Sequence, residues 1–153
     1  MQWKPNTTVA AIAEQDGRFL LVEEFINGNL VFNQPAGHLE QGETLIEAVK
    51  REVMEETVWE FEPESLVGVY LYPNPHQADI TYLRFCFNGS YIKEHKGQPL
   101  DDGIVRAAWL TTEEIEKEQK RMRSPLVTQC IKDYQDGKHY PLDLIHHALN
   151  SEQ

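Results

Sequence analysis

The segment GHLEQGETLIEAVKREVMEETVW, Gly37 to Trp59, decides how the rest of the sequence is interpreted. Its first part holds two glycines and reads as a loop. From about Thr44 the apolar residues take a helical spacing, with Ile46, Val49 and Val53 on one stripe. The sequence therefore predicts a loop followed by an amphipathic helix.

Three glutamates lie within one turn of this predicted helix: Glu52, Glu55 and Glu56. Like charges three and four residues apart destabilise a helix by a few tenths of a kcal/mol per pair. A helical wheel places Glu52 and Glu56 at the edge of the apolar stripe, with Glu55 slightly further round. Three hard oxygen donors at a partly buried edge suit Mg²⁺ or Mn²⁺. The sequence predicts a divalent metal site here, and the alternative is a solvated acidic face.

Composition and charge narrow the class of protein. With 153 residues, 41% apolar and 25% charged, the chain is expected to form a single globular domain over residues 1–153. The N-terminus has no apolar leader, and no apolar run is long enough to span a bilayer, so we expect a cytoplasmic protein without membrane contact. A net charge of −11 argues against a nucleic-acid partner and suggests that a cation mediates binding of a small anionic substrate.

Strand patterns surround the segment on both sides. Two β-rich runs, Thr7–Ala13 and Phe19–Glu24, flank Asp16-Gly17 and predict a hairpin. A short extended piece and three later strands follow, in NLVFNQP, SLVGVYLYPNP, DITYLRFCFNGSY and IVRAAW. Strands mixed with a few helices, without strict alternation, predict an α+β fold or an α/β/α sandwich.

The C-terminal third is expected to be helical. A capping-box pattern starts one helix near Thr111 or Thr112, and SPLVTQCIKDYQDG predicts a second, with Pro125 in its first turn and Gly137 as its stop. PLDLIHHALN predicts a short terminal helix, so that C-terminal helices occupy about residues 124–149.

The spacing G-x5-E-x7-R-E-V-x-E-E within residues 37–59 resembles the signature of the Nudix hydrolases, as do NQPAG before it and AAWLTTEEI after it. This resemblance implies a Nudix α/β/α sandwich around a mixed β-sheet and hydrolysis of phosphoanhydrides with Mg²⁺, or alternatively Mn²⁺. It makes Glu52, Glu55 and Glu56 the catalytic metal ligands, together with the backbone carbonyl of Ala36. It also pairs Glu43 with Arg51.

The general base stays open at this point. Glu55 and Glu56 are candidates, as are Asp101 and Asp102, which lie just before a predicted strand. A polar turn next to Gly103 would explain the two aspartates equally well.

Val58 departs from the family pattern, which has glycine at this position. Glycine suits a left-handed residue at the end of a helix, whereas a β-branched residue there costs about 1–2 kcal/mol. We therefore expect the helix to run on or to pass straight into a strand, with activity retained.

Outside the signature, FINGNLVFNQPAGHLEQGET and RSPLVTQCIKDYQDGKHYPLDLI resemble the NudJ-type phosphatases of that family. This implies a Mg²⁺-dependent monomer that releases orthophosphate from nucleoside tri- and diphosphates, and from the thiamine precursor hydroxymethylpyrimidine pyrophosphate. Arg123 and His38 are candidate phosphate contacts, and Phe32 is a candidate for stacking on a ring, as are Tyr70, Tyr72 and Tyr82. The alternatives are a pyrophosphohydrolase that releases pyrophosphate and a non-catalytic nucleotide sensor.

Overall fold

A computed structural model describes residues 1–148 of the chain. In this part the chain forms two four-stranded sheets and three α-helices. The strands are β1 Asn6–Ile12, β2 Glu14–Gln15, β3 Arg18–Ile26, β4 Asn29–Asn33, β5 Ala36–His38, β6 Trp59–Pro73, β7 Thr81–Glu94 and β8 Ile104–Thr111. The helices are α1 Leu45–Thr57, α2 Thr112–Lys117 and α3 Pro125–Gln135, with short 3₁₀ turns at Gln119–Arg121 and Leu142–Leu144.

The first sheet has the strand order β5-β1-β7-β6 and is mixed, because β1 runs parallel to β7 while its other pairs are antiparallel. Its strand β1 is apolar and buried on both faces, as expected for a strand covered on both sides. The second sheet is built around β3, which pairs with β8 on one side and with β2 and β4 on the other.

Two apolar clusters cover the two faces of the first sheet. On one face α1 contributes Ala48, Val49 and Val53 to a cluster with residues of β1, β6 and β7. On the other face α3 and residues of the second sheet pack against alternate residues of β1, β6 and β7. The mixed sheet flanked by helices confirms the predicted α/β/α sandwich. None of the helices within residues 1–148 is both long and apolar enough to cross a lipid bilayer.

The starts of α2 and α3 agree with the predicted capping box near Thr111 and with the prediction of Pro125 in a first turn. Thr44 and Glu47 form a capping box before α1, as Thr111 and Glu114 do before α2. Ser124 caps α3, whose first residue is Pro125. These starts depend on local hydrogen bonds, which is why the sequence reveals them.

The predicted hairpin between Thr7–Ala13 and Phe19–Glu24 is wrong. The turn at Asp16-Gly17 exists, with positive φ at both residues, but it joins only the two-residue strand β2 to β3. Strand β1 belongs to the other sheet, where it pairs with β5 and β7. An apolar strand that is buried on both faces is stabilised more by backbone hydrogen bonds to two neighbouring strands than by one local turn.

The predicted terminal helix is also wrong over most of its length. Beyond α3 the described chain contains only the 3₁₀ turn Leu142–Leu144, and residues 149–153 lie outside the described part. Tyr140 exchanges two backbone hydrogen bonds with Leu66 of β6, each 2.8 Å long, and this extended pairing precedes Pro141. Further along, the Leu45 N–H donates to His147 Nε2 over 3.2 Å, so the segment returns to the start of α1.

Val58 contradicts the expected exit from α1. It ends the helix in the left-handed conformation, at φ 58° and ψ 18°. Its N–H donates to the Met54 carbonyl and its own carbonyl accepts from the His95 N–H at 2.8 Å. The side chain is buried, so hydrogen bonds and burial together hold a β-branched residue where glycine would fit without strain.

Candidate active site

An open cleft of about 1140 Å³ lies between the two sheets and the start of α3. One wall carries Glu52 and Glu56 of α1 beside the strand Ala36–His38. The cleft is also lined by residues of β6, β7 and the turn between them, including Tyr72, Asn74, Pro75, His76, Gln77, Tyr82 and Arg84. The cleft therefore brings two of the three predicted glutamates together with polar and aromatic side chains from distant parts of the chain.

Gly37 brings the backbone of β5 directly against Glu52. A Cβ built at Gly37 would collide with the carboxyl group of Glu52, so a larger residue here would displace that carboxyl from its position. The side chain of Glu52 is 12% exposed, whereas that of Glu55 is 40% exposed. This contact gives a physical reason for the glycine that begins the signature.

Arg51 connects the loop to the helix. Its Nε and Nη2 donate to the two carboxylate oxygens of Glu43, at 2.6 and 3.0 Å, and Nη2 also donates to the His38 carbonyl. Its Nη1 donates to Glu52 at 2.8 Å and to Glu55 at 3.2 Å. The structure thus brings Glu43 and Arg51 together as an ion pair, and the same guanidinium lies beside two of the clustered glutamates. The hydrogen bonds from Arg51 hold the pKa of Glu43 below its ordinary value.

Glu56 is the carboxyl of the cluster with the largest rise in pKa. Burial raises its pKa to about 8, although it accepts a hydrogen bond from the Ala36 N–H at 3.0 Å, and the nearby charges of Glu52, Glu24 and Asp101 raise the pKa further. Burial also raises the pKa of Glu52, against the effect of Arg51. Glu52 shares the charge of Arg51 with Glu43 and Glu55, and Glu56 has no ion-pair partner within residues 1–148, so the two carboxyls are only partly neutralised. A bound cation would relieve that condition.

The fit of this cluster to a metal is partial. The donors are hard carboxylate oxygens at a partly buried edge, which suits Mg²⁺. Within residues 1–148, however, no group of three or more Asp, Glu, His or Cys side chains converges as a metal site. Glu52 and Glu55 both face Arg51, and Glu56 faces the Ala36 amide, so the chemistry of the donors fits while their side chains point to separate partners.

The two predicted aspartates differ. The Asp101 N–H donates to the Glu55 carbonyl at 3.0 Å, and the charge of Asp101 raises the pKa of Glu52 and Glu56, so this residue lies beside the cluster. Both aspartates are exposed, and neither lines the cleft. The structure therefore supports Asp101 over Asp102 as a candidate of this site.

His38 and Arg123 both line the cleft, and Arg123 Nη1 donates to Glu24 at 3.3 Å. Phe32 does not line it: the ring is 1% exposed, and the guanidinium of Arg121 lies 4.5 Å above its centroid. The structure corrects the predicted stacking role of Phe32, because a buried ring offers no face to a substrate.

Of the aromatic candidates on β6 and β7, two line the cleft and one does not. Tyr72 and Tyr82 line the cleft, and they lie opposite each other in the register of the two strands. The Tyr70 hydroxyl donates instead to Asp133 of α3 at 2.8 Å. Tyr72 and Tyr82 therefore remain as aromatic side chains that a ring can reach.

Arg84 is the cleft residue that the sequence reasoning missed. It is 5% exposed, and its Nη1 and Nη2 donate to the side-chain carbonyls of Gln34 and Asn33 at 3.1 and 3.0 Å. The only signal in the sequence is a charged residue in the middle of the apolar strand YLRFCF. A buried charge at such a position marks a polar partner or a site.

The chain matches the model of the NUDIX domain over residues 3–129. It is 42% identical to phosphatase NudJ of Shigella boydii over 94% of this chain and 92% of that protein. It is 41% identical to phosphatase NudJ of Escherichia coli K12 over the same shares. A solved NUDIX hydrolase from Nitrosomonas europaea superposes with a TM-score of 0.92 at 51% identity, covering 94% of this chain and 97% of that one.

Proposed function

The chain belongs to the Nudix hydrolase family, and on that premise we propose that it is a Mg²⁺-dependent phosphatase of nucleoside tri- and diphosphates. It would release orthophosphate and act as a monomer, with Mn²⁺ as an alternative metal and hydroxymethylpyrimidine pyrophosphate as a further substrate. The phosphatase name of relatives about 42% identical supports the release of orthophosphate.

The observation that carries this proposal is the position of Glu52 and Glu56 on the wall of the large cleft. Both carboxyls are partly desolvated, and both have raised pKa values. Such a wall repels a phosphate unless a cation lies between them. Bound Mg²⁺ would supply that charge and would lower the pKa of a water molecule.

The residues around the cluster have supporting parts in this proposal. Arg51 binds both Glu43 and the His38 carbonyl, so that strand β5 with Gly37 stays against the glutamates. Glu55, Glu56 and Asp101 are the candidates for holding the proton of the attacking water, because all three belong to or contact the cluster. His38 and Arg123 line the same cleft and are available to phosphate oxygens.

A substrate panel with separate detection of orthophosphate and pyrophosphate tests the proposal. We expect orthophosphate from both ATP and ADP in the presence of Mg²⁺ and none in the presence of EDTA. Pyrophosphate with AMP as products of ATP would instead identify a pyrophosphohydrolase. No turnover with Mg²⁺ or Mn²⁺ would identify a nucleotide-binding module.

Glu55→Gln gives the matched test of the cluster. We expect turnover to fall by at least a hundredfold with little change in melting temperature, because this side chain is 40% exposed and is not part of the apolar core. Glu62→Gln is the control, since Glu62 pairs with Lys50 on the surface at 3.4 Å and does not line the cleft. Full activity in Glu55→Gln would remove the metal-site argument.

A further inference from the structure

Arg84 differs from every other arginine of the chain in its partners. Among the six arginines, it is the only one without a carboxylate within 4.0 Å in residues 1–148. Each of the other five arginines forms an ion pair with a glutamate: Arg18–Glu114, Arg51–Glu43, Arg106–Glu23, Arg121–Glu23 and Arg123–Glu24. Arg84 is also 95% buried. In a protein with 25 acidic residues, the most buried guanidinium is thus the one that no acidic side chain neutralises.

A guanidinium remains charged at every physiological pH and carries five N–H donors. In residues 1–148 the oxygen acceptors of Arg84 are two neutral amides, those of Gln34 and Asn33. Burial of a charge without an opposite charge is unfavourable. An anion that enters the cleft would supply both the missing charge and acceptors for the remaining N–H groups.

The orientation of the guanidinium is fixed before any ligand arrives. The Gln34 side chain is 1% exposed, and its Nε2 donates to the Val127 carbonyl of α3 at 2.7 Å. That bond turns the Gln34 carbonyl oxygen towards Arg84. A charged group that is held in place by its neighbours binds an anion without first losing side-chain freedom.

The strand register gives the place of Arg84 relative to the glutamates. Thr8 of β1 pairs with Arg84 on one side and with His38 on the other. Because neighbouring strands are about 4.8 Å apart, the backbones at Arg84 and His38 are separated by about 10 Å. Gly37, which contacts Glu52, is next to His38. The backbone that carries Arg84 is therefore two strands away from the backbone that contacts Glu52.

An aromatic pair lies next to Arg84 on the same face. Tyr82 precedes Arg84 by two residues in β7, and residues two apart in a strand point to the same side. Tyr72 pairs with Tyr82 across the strands, and both line the cleft with Arg84. A planar ring on this pair would bring a phosphate attached to it close to the guanidinium.

We infer that Arg84 binds the phosphate of the substrate that is not released, while Tyr72 and Tyr82 contact the attached ring. The ligand class is a nucleoside monophosphate unit, and the released phosphate lies at the glutamates. The inference rests on the proposed function for the chemistry of this ligand. This arrangement defines the orientation in which the substrate binds in the cleft.

The inference is tested by measuring ligand binding under conditions in which no hydrolysis takes place. Calorimetry in EDTA compares AMP with adenosine for the native protein and for Arg84→Gln. We expect the native protein to prefer AMP, and the variant to lose AMP affinity by tenfold to about a hundredfold while its adenosine affinity changes less than threefold. Arg84→Lys should lie between the two, because lysine keeps the charge and loses the fork. Arg106→Gln, at a 54% exposed side chain outside the cleft, is the control and should match the native protein.

A second measurement does not depend on a variant. In the native protein with EDTA, the NMR signal of the Arg84 Nε–H should shift more on addition of AMP than on addition of adenosine. Equal AMP affinity of the native protein and Arg84→Gln, the same response to both ligands, or no AMP binding at millimolar concentration would overturn the inference. Because no metal and no hydrolysis are involved, failure of this inference is distinct from failure of the proposed phosphatase activity.

Discussion

Glu56→Gln replaces the carboxyl with the strongest pKa shift of the cluster by a group that does not titrate. Burial raises the pKa of Glu56 from 4.5 to about 8 in the metal-free protein. Between these two values the folded protein keeps a proton that the unfolded chain releases. The folded state therefore loses stability relative to the unfolded state as the pH rises through this window. Glutamine keeps an acceptor for the Ala36 N–H, so the variant preserves that hydrogen bond.

The expected change in unfolding free energy follows from the pKa shift of Glu56. Each unit of difference between the folded and unfolded pKa corresponds to 1.36 kcal/mol of unfolding free energy. Close to either pKa the unfolding free energy changes by less than 1.36 kcal/mol per pH unit. Between pH 5 and pH 7.5 the native protein should lose about 3 kcal/mol of unfolding free energy relative to Glu56→Gln. The full difference, reached about one unit above the folded pKa, is about 5 kcal/mol.

Urea unfolding in EDTA at a series of pH values measures this difference. The free energy of unfolding of the variant minus that of the native protein should rise steadily from pH 5 to pH 8. The titrating groups that lie away from Glu56 are common to both proteins and cancel in the subtraction. Glu62→Gln serves as the control for the loss of a carboxyl, because Glu62 lies on the surface with Lys50.

Parallel curves for the native protein and Glu56→Gln in EDTA would refute the reasoning, since they would mean that Glu56 ionises normally in the folded protein. Addition of Mg²⁺ gives a second check. Metal and proton compete for the carboxylate, so Mg²⁺ should stabilise the native protein more at pH 8 than at pH 6. The variant should gain less at both values.

Three further substitutions test separate contacts. Gly37→Ala adds a Cβ that collides with the Glu52 carboxyl, and it should lower Mg²⁺ affinity and turnover at least tenfold; unchanged values of both would contradict the contact. Val58→Gly removes about 1–2 kcal/mol of left-handed strain and about 2 kcal/mol of burial, so unfolding free energy should change by less than about 1 kcal/mol and turnover by less than tenfold. A hundredfold rise in turnover would refute this balance. Arg51→Lys loses the two-pronged bond to Glu43 and should destabilise the protein by about 1–3 kcal/mol in urea unfolding, whereas native stability would show that the fork is dispensable.

Features set by local hydrogen bonds were predictable from the sequence. The change to a helical spacing of apolar residues near Thr44, with a stripe through Val49 and Val53, predicted α1, and the capping box at Thr44 is what fixes its start. The pairing of Glu43 with Arg51 was an expectation from the resemblance, and the structure places the two side chains in contact. Each of these features depends on residues at most eight positions apart.

Features set by distant partners were not predictable in this way. Alternation of side chains does not tell which strands pair, so the turn at Asp16-Gly17 suggested a hairpin, whereas β1 pairs with β7, whose Tyr82 lies 76 residues after its partner Asn6. At Val58 the local preference against positive φ is overcome by burial and by the hydrogen bond from His95. Arg84 shows the same limit, because its Gln34 contact spans 50 residues.

The distribution of charge in the cleft determines the orientation in which the substrate binds. A net charge of −11 suggested that one cation mediates the binding of an anionic substrate. The structure instead separates two regions, because Glu52 and Glu56 occupy one wall while the unpaired charge of Arg84 lies about two strands away. A phosphate can approach the first region only with a metal, whereas it can bind the second directly. A substrate with two phosphates therefore has one orientation that satisfies both regions, with its ring on the side of Tyr72 and Tyr82 and its terminal phosphate at the glutamates.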